Sequence, residues 1–459
     1  MLDDHSTLPD EAASFLAAHP ETRFVDVIYP DLCGIIRGKR YPVAELGKLF
    51  RKGLAFPGSV FLLSVTGETQ DPLGRGFSDG DPDNPGMLVP GSLKPIPWSD
   101  IPTAQAMVTL LERDGTTPFL FEPRNVLRRV LERFRPLGLT PVVAFELEFY
   151  LIDPQRDEGG GPLPPILPTT GRRGSATQVY GMNEVEAFSE LLDEIADCCR
   201  LQDIPVGAVS AEYAPGQYEI NLQHIDDPLL AADQAVLFKR AVKGVVRKYG
   251  LQATFAAKPY PDQTGNGLHL HCSMVDAEGR NLFDGGEAVV SPLLRNAIGG
   301  ALALMPDSMA LFAPNPNSFR RYKANNFVPV TRAWGLENRS AAVRIPSGEA
   351  AARRIEHRVA GADANPYLAL ATFLAGLHHG IERRLDPGPP VEGNAGAEID
   401  EEIPMRPFRA LERLEESQVL RDYLGSDYLD VYVATKWAEL EAFYDEIDPT
   451  EYAWYLQAD

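Results

Sequence analysis

A chain of 459 residues, 44% hydrophobic and 24% charged, has the make-up of a soluble globular protein with room for two or three domains. Its 65 Asp and Glu outnumber its 43 Lys and Arg, and the net charge of -22 argues against nucleic acid or an anionic membrane as the main partner. No run approaches the ~18 apolar residues of a membrane helix, residues 1–20 are too acidic for a signal peptide, and Cys33, Cys198, Cys199 and Cys272 form no CxxC pair. A cytoplasmic protein is expected, with the adjacent Cys198 and Cys199 as small core residues.

In chain order, residues 8–19 read as a helix opened by Pro9. Residues 24–29 and 35–40 read as a hairpin, 43–53 as a helix and 61–65 as an apolar strand. Residues 71–97, dense in Gly, Pro and Asp, read as loop with a short strand at 87–89. Residues 104–113 are a further strand. Residues 1–115 are therefore expected to form a small mixed domain and 116–459 a second one. In that second part, 125–134 read as an amphipathic helix, 142–151 as a buried strand and 153–177 as a long loop. Residues 183–202 read as one helix, with Asn183 as N-cap and Glu186 completing a capping box. Residues 206–222 are strand-like, 228–249 helical, 252–257 and 267–275 strands, 291–304 and 365–384 helices, 386–404 loop, and the remainder helical. Hairpins alternating with long helices predict an α+β fold, with helices outside an antiparallel sheet.

Two carboxylates interrupt the strand at 142–151. Glu146 and Glu148 stand at i and i+2 and share a face, while Phe145, Leu147 and Phe149 crowd the other. Like charges this close raise each other's pKa unless a cation lies between them, and a metal ion is the simplest cation. Glu212 and Glu219 flank a Pro-Gly break where i+2 counting fails, so although a bulge could aim both inward, by themselves they read better as surface acids. His269 and His271, with Ser273, share a strand face after a Gly-rich turn. One imidazole suits a metal and the other a phosphate. Glu356 lies among Arg353, Arg354 and Arg358, which either neutralise it or belong with it to a phosphate site. Arginine is dense from Arg320 to Arg358, as suits a polyanion that guanidinium forks can grip. Carboxylates with metals on one side and arginines on the other describe phosphoryl transfer, here without a Walker loop.

Phe145-Glu146-Leu147-Glu148-Phe149, residues 212–219 and 265–273, Asn317-Ser318-Phe319-Arg320-Arg321, Glu337-Asn338-Arg339-Ser340 with Arg344-Ile345-Pro346, and Arg354-Ile355-Glu356 through Asn365-Pro366-Tyr367-Leu368 together resemble the glutamine synthetase family over nearly the whole chain. The resemblance implies an N-terminal β-grasp domain, a catalytic domain and a homo-oligomer of stacked hexameric rings with sites between subunits. It implies one divalent metal, Mg²⁺ or Mn²⁺, on Glu148, Glu212 and Glu219, and a second on Glu146, His269 and Glu356. It places ATP near His271, Ser273, His224 and Arg354, and the transferred phosphoryl group on Arg339 and Arg344. It gives Arg321 and Gly265 to the glutamate α-carboxylate end and Arg358 to its γ-carboxylate. Arg339, Arg344, Arg358 and Glu356 are the expected catalytic set. The implied reaction activates glutamate as an acyl phosphate and passes it to an amine.

The departures from the family carry information about the acceptor. Ammonia-using members hold ammonium with two acids, and the corresponding positions here are Phe327 and Pro57. An apolar pocket suits a carbon-bearing amine and favours its neutral form. The stretches around Phe327 and Glu356 most resemble the γ-glutamylpolyamine branch, so a putrescine-like acceptor is expected, with a monoamine or ammonia as alternatives. A non-catalytic assembly role would predict lost metal ligands, and a metal-dependent hydrolase would not call for the arginines. A diamine's far ammonium needs a carboxylate or aromatic face, expected within residues 56–63 or 156–180. Residues 386–404 contain no Tyr, so control by tyrosine adenylylation is not expected.

Overall fold

The computed structural model describes residues 8–175, 178–286, 290–456 and 458. Two sheets organise them. The first has strands β1 (Phe24–Pro30), β2 (Ile36–Pro42), β3 (Leu54–Pro57), β4 (Asp83–Leu88), β5 (Lys94–Pro95) and β6 (Thr103–Leu110), in the order β2-β1-β6-β4-β3 with β5 beside β6. β1 runs parallel to β6, Val25 and Val27 of β1 are fully buried, and the helices α1 (Asp10–Ala18) and α2 (Leu46–Lys52) bury Ala12, Phe15, Leu46 and Leu49 in the same core. The strand expected at 61–65 is absent. Gly58–Phe61 is a single 3₁₀ turn that stacks Phe61 on Tyr29, with ring centroids 4.3 Å apart. A short apolar run buries as well in a turn as in a strand, so periodicity cannot separate the two. β3 and most of β4 were hidden by their own Pro57, Pro85 and Gly86.

The second sheet is built on β7 (Thr140–Ile152), with β8 (Val206–Ala211), β9 (Gln217–Leu222), β10 (Gln252–Thr254), β11 (Leu268–Val275), β12 (Trp334–Leu336), β13 (Val343–Ile345) and β14 (Ile355–His357). Its order is β12-β13-β14-β11-β7-β9-β8, with β10 paired to the end of β7. The back of β7 is sealed by aromatic packing: Phe149 lies 5.5 Å from Phe255 and 6.5 Å from Phe238 between ring centroids.

Phe238 comes from a layer of helices: α3 (Pro123–Glu132), α4 (Met182–Ala187), α5 (Ser189–Leu201), α6 (Pro228–Lys248), α7 (Pro292–Phe312) and α8 (Pro366–Arg383). Helices α9 (Pro407–Glu416), α10 (Gln418–Leu424), α11 (Ser426–Asp445) and α12 (Pro449–Tyr455) follow. α7 and α8 touch backbone to backbone, and a Cβ on Gly300 would fall 2.0 Å from the Gly376 carbonyl oxygen. The single helix expected over 183–202 is two. Phe188 leaves helical geometry to bury its ring beside Tyr218, and Gly181, not Asn183, stands at the N-cap without a side-chain bond. Tertiary packing overrides the local capping pattern there. Asn365 caps α8 through the Tyr367 N–H and also donates to the carbonyls of Asp31 (3.0 Å) and Leu32 (3.2 Å), fastening the first hairpin to the second sheet's helices. Among the described residues no helix is long and apolar enough to cross a membrane.

Candidate active site

Strand register gathers the predicted residues on one face. Glu146 of β7 stands opposite His269 of β11 and Asn221 of β9, and Glu148 stands opposite Glu219. Further along, His271 pairs with Glu356 of β14, and Glu356 pairs with Arg344 of β13. The Glu146 carboxylate lies 2.5 Å from His269 Nδ1 and 3.4 Å from His271 Nε2, and accepts from Asn221 Nδ2 at 2.6 Å. Glu148 accepts the Gly267 N–H at 2.7 Å. Glu356 is 1% exposed, held by Arg344 Nη1 at 2.6 Å and by Arg358 Nη1.

Two groups have ligand atoms within 4.8 Å of one another: Glu146, His269 and Glu356, and Glu148, Glu219 and His269. The first is the set expected for one metal. In the second, His269 takes the place in which Glu212 was expected. Glu212 still faces the group. Burial, then Glu148 and Glu146, push its carboxyl up to about 7. Burial, Glu146 and Glu148 push Glu219 upward as well. Burial works to raise Glu146 too, but His269 and His271 outweigh it and hold that carboxyl well below the usual range. Four carboxylates thus share one face whose negative charge the chain does not balance. Oxygen-rich donor sets with one imidazole, short of positive charge, fit Mg²⁺ or Mn²⁺.

The arginines and nucleotide-side residues surround this face. Arg354 Nε lies 3.3 Å from His271 Nδ1, and the His224 ring is 5.6 Å from that of His271. Burial, then His271 and Arg354, lower His224 to about 4, so it is neutral at pH 7. Ser273 lies on β11 two residues past His271. Arg358 Nε donates to the Arg339 carbonyl at 3.2 Å, and Arg344 Nη2 reaches Glu337 at 3.1 Å. Arg321 is buried beneath the turn at 265–267, donates to the Val359 carbonyl at 3.3 Å, and leaves its Nε unpartnered. A Cβ on Gly265 would strike Arg321 Cγ at 2.6 Å. Pro57 is not brought here: it ends β3 in the other sheet, opposite Asp83.

Three supporting residues were missed in the sequence. Asn221 follows Glu219 at i+2, so the same counting that paired Glu146 with Glu148 would have found it. Gln217 Nε2 donates to the Gly265 carbonyl at 3.0 Å, tying β9 to that turn. Gly267 needs no left-handed backbone. It is small because a Cβ there would lie 3.0 Å from His269 Nε2 and 3.3 Å from Glu148 Oε1, between the two ligands.

Beside the carboxylate face lies a cavity of about 770 Å³ whose wall includes Phe327, Leu336, Glu337, Arg339, Val391 and Glu392. Phe327 is 55% exposed there, and its ring centroid is 6.0 Å from that of Tyr213, the residue after Glu212. Tyr180 is close to the same groups: burial raises its phenol, and Arg339, Glu212, Glu219 and Tyr213 all act on it. Aromatic faces therefore adjoin the carboxylates at the mouth of the site.

Residues 120–455 match the family model described as "Glutamine synthetase, catalytic domain". The chain is 43% identical to gamma-glutamylputrescine synthetase PuuA of Escherichia coli (strain K12), over 98% of this chain and 95% of that protein. It is 31% identical to a glutamate–isopropylamine ligase of a Pseudomonas species, over 93% of each. A solved structure described as a GmaS/ADP complex superposes with a TM-score of 0.83 at 28% identity, covering 97% of this chain and 99% of that one.

Proposed function

The chain belongs to the glutamine synthetase family, and from that premise we propose that it is an ATP-dependent ligase joining the γ-carboxyl of glutamate to an amino group of a putrescine-like polyamine. The observation that carries the reading is the uncompensated carboxylate face, ringed by arginines and opening on an aromatic cavity. The likeness to a gamma-glutamylputrescine synthetase over nearly the full length of both chains supports the polyamine as acceptor.

Glu148, Glu219 and Glu212 would hold one divalent cation, and Glu146, His269 and Glu356 the other. Mg²⁺ or Mn²⁺ bound there supplies charge neutralisation at the phosphates of ATP. Arg321 and Gly265 hold the amino-acid end of glutamate, and Arg358 aims its γ-carboxylate. A γ-carboxylate oxygen attacks the γ-phosphorus of ATP, the bond to ADP breaks, and γ-glutamyl phosphate forms, its phosphoryl oxygens held by Arg339 and Arg344. His271, Ser273, His224 and Arg354 bind the nucleotide; His224, neutral at pH 7, acts as a hydrogen-bonding group there and not as a cation. The neutral amine then attacks the γ-carbonyl carbon, the bond to phosphate breaks, and the proton shed by the nitrogen passes to the departing phosphate or to water. Phe327 and Tyr213 give the acceptor a low-polarity mouth that favours this neutral form.

We further infer stacked hexameric rings with sites shared between neighbours, a division of each chain near residue 115, and a cytoplasmic location. Pro57 belongs in this picture as a residue serving the neighbouring subunit's amine site, which accounts for its distance from the carboxylates of its own chain.

The acceptor reading is tested by phosphate release with ATP and glutamate across putrescine, spermidine, ethanolamine, methylamine and ammonia. Putrescine should saturate at the lowest concentration. Preference for methylamine would favour the monoamine reading, which the likeness to the isopropylamine ligase and the apolar Phe327 wall support. Saturation by ammonia at low concentration would overturn both. Phe327→Glu should move the preference toward ammonia.

A further inference from the structure

The cavity of about 770 Å³ beside Phe327 is larger than an amino group alone requires. Phe327, Leu336 and Val391 give it walls suited to a methylene chain. A diamine that reacts at one end keeps a protonated ammonium at the other, and that charge needs an anionic partner once it leaves water. The six wall residues named above include two carboxylates, Glu337 and Glu392.

The two acids differ in how firmly they are held. Glu337 sits at φ +55, in the left-handed region that a Glu side chain seldom occupies. Its N–H donates to the Ile345 carbonyl at 3.0 Å, and its carboxylate meets Arg344 Nη2 at 3.1 Å. Arg344 also donates to Glu356, which Arg358 holds as well, so Glu337 shares its guanidinium with a second carboxylate and is not fully matched by it. The Glu337 side chain remains 47% exposed, open to a further partner. Glu392 stands on the loop after α8, and among the described residues no hydrogen bond or ion pair fixes it. A preoriented counter-ion loses less freedom on binding than a mobile one.

We propose that Glu337 is the counter-ion for the distal ammonium of a diamine acceptor, whose carbon chain lies along Phe327, Leu336 and Val391. The inference rests on the polyamine reading above and names the residue that would make the enzyme prefer a diamine to a monoamine of the same length. It places the anionic partner of the distal ammonium outside residues 56–63 and 156–180.

The test compares putrescine with pentylamine, in which a methyl group replaces the distal ammonium. The readout is the ratio of kcat/KM for the two amines. Because the ratio is internal to each preparation, partial unfolding of a variant cancels. The wild type should prefer putrescine. Glu337→Gln should lower the ratio at least tenfold, chiefly through KM for putrescine, and Glu392→Gln should leave it within about twofold. If Glu337→Gln lowers kcat/KM for both amines alike, the residue acts only through Arg344 and the assignment is wrong. A ratio that falls with Glu392→Gln instead would transfer the role to that residue. If the wild type prefers putrescine and Glu337→Gln still does, this inference fails while the polyamine reading stands. A wild type without the preference would sink both.

Discussion

Two clusters of buried charge among the described residues differ in their balance. Between α3, α6 and α8, Arg124 forks Asp233 at 2.8 and 2.9 Å, and the Tyr367 hydroxyl donates to the same carboxylate at 2.5 Å. One guanidinium, one carboxylate and one phenol close on themselves. On the front of β7, Glu146, Glu148, Glu212 and Glu219 face one another with His269 and His271 as their near neighbours, and two of the four carboxyls are driven upward by burial and then by the others. A folded chain leaves charge of one sign unmatched only where something else completes it. The first cluster therefore reads as scaffold and the second as a binding site, although both are buried and rich in ionisable groups.

The comparison breaks most visibly by mutation. Glu356→Ala removes a proposed ligand, strips Arg358 of its carboxylate partner and leaves Arg344 with Glu337 alone. Phosphate release should fall at least about a thousandfold with every amine, and residual turnover with any one amine would show that Glu356 is not shared machinery. Asp233→Asn should act in the opposite sense. It strands Arg124 without its anion and should cost about 3–5 kcal/mol in denaturant unfolding, with Mn²⁺ affinity unchanged.

Glu122 sharpens the rule from within the scaffold. It accepts from the Leu110 N–H, the Thr109 hydroxyl and Asn125, yet burial raises its carboxyl from 4.5 to about 7. An acid whose folded pKa lies above its unfolded one stabilises the fold below the unfolded value, and that contribution is lost as pH rises through the folded value. Stability should therefore decline between pH 4.5 and about 7, by an amount on the order of 3 kcal/mol. Glu122→Gln should flatten this part of the pH–stability curve; an unchanged slope would mean that the group stays ionised. The smallest effect is the most discriminating. Glu219→Gln removes one of the mutually repelling carboxyls, so the metal-free protein should gain stability, on the order of 1 kcal/mol, while its Mn²⁺ affinity drops. Loss of stability instead would place Glu219 with the scaffold.

Much of this was legible along the chain, and the losses have physical causes. Glu146 and Glu148 were found because a strand's two-residue period puts them on one face, and the apolar residues between them fix which face is buried. That Glu146 would stand opposite His269, and His269 within reach of both carboxylate groups, depends on the register between β7 and β11, which no local pattern encodes. Glu212 could not be placed by counting because the turn before Gln217 breaks the period. The capping pattern at Asn183 was locally sound and lost to the burial of Phe188. The 61–65 run reads as an apolar strand, yet it begins in a 3₁₀ turn that buries Phe61 and Leu62 and leaves Val65 exposed. Glu337 drew no attention as an acceptor residue because its role rests on a cavity assembled from three separate loops.

By this contrast the unmatched charge on β7 marks a metal site and the matched charge around Asp233 does not. Titration of the metal-free protein with Mn²⁺, followed by electron paramagnetic resonance, tests it directly. The prediction is two tight Mn²⁺ per chain, retained in Asp233→Asn and weakened in Glu219→Gln. Absence of tight binding in the wild type, or equal binding in wild type and Glu219→Gln, would contradict it.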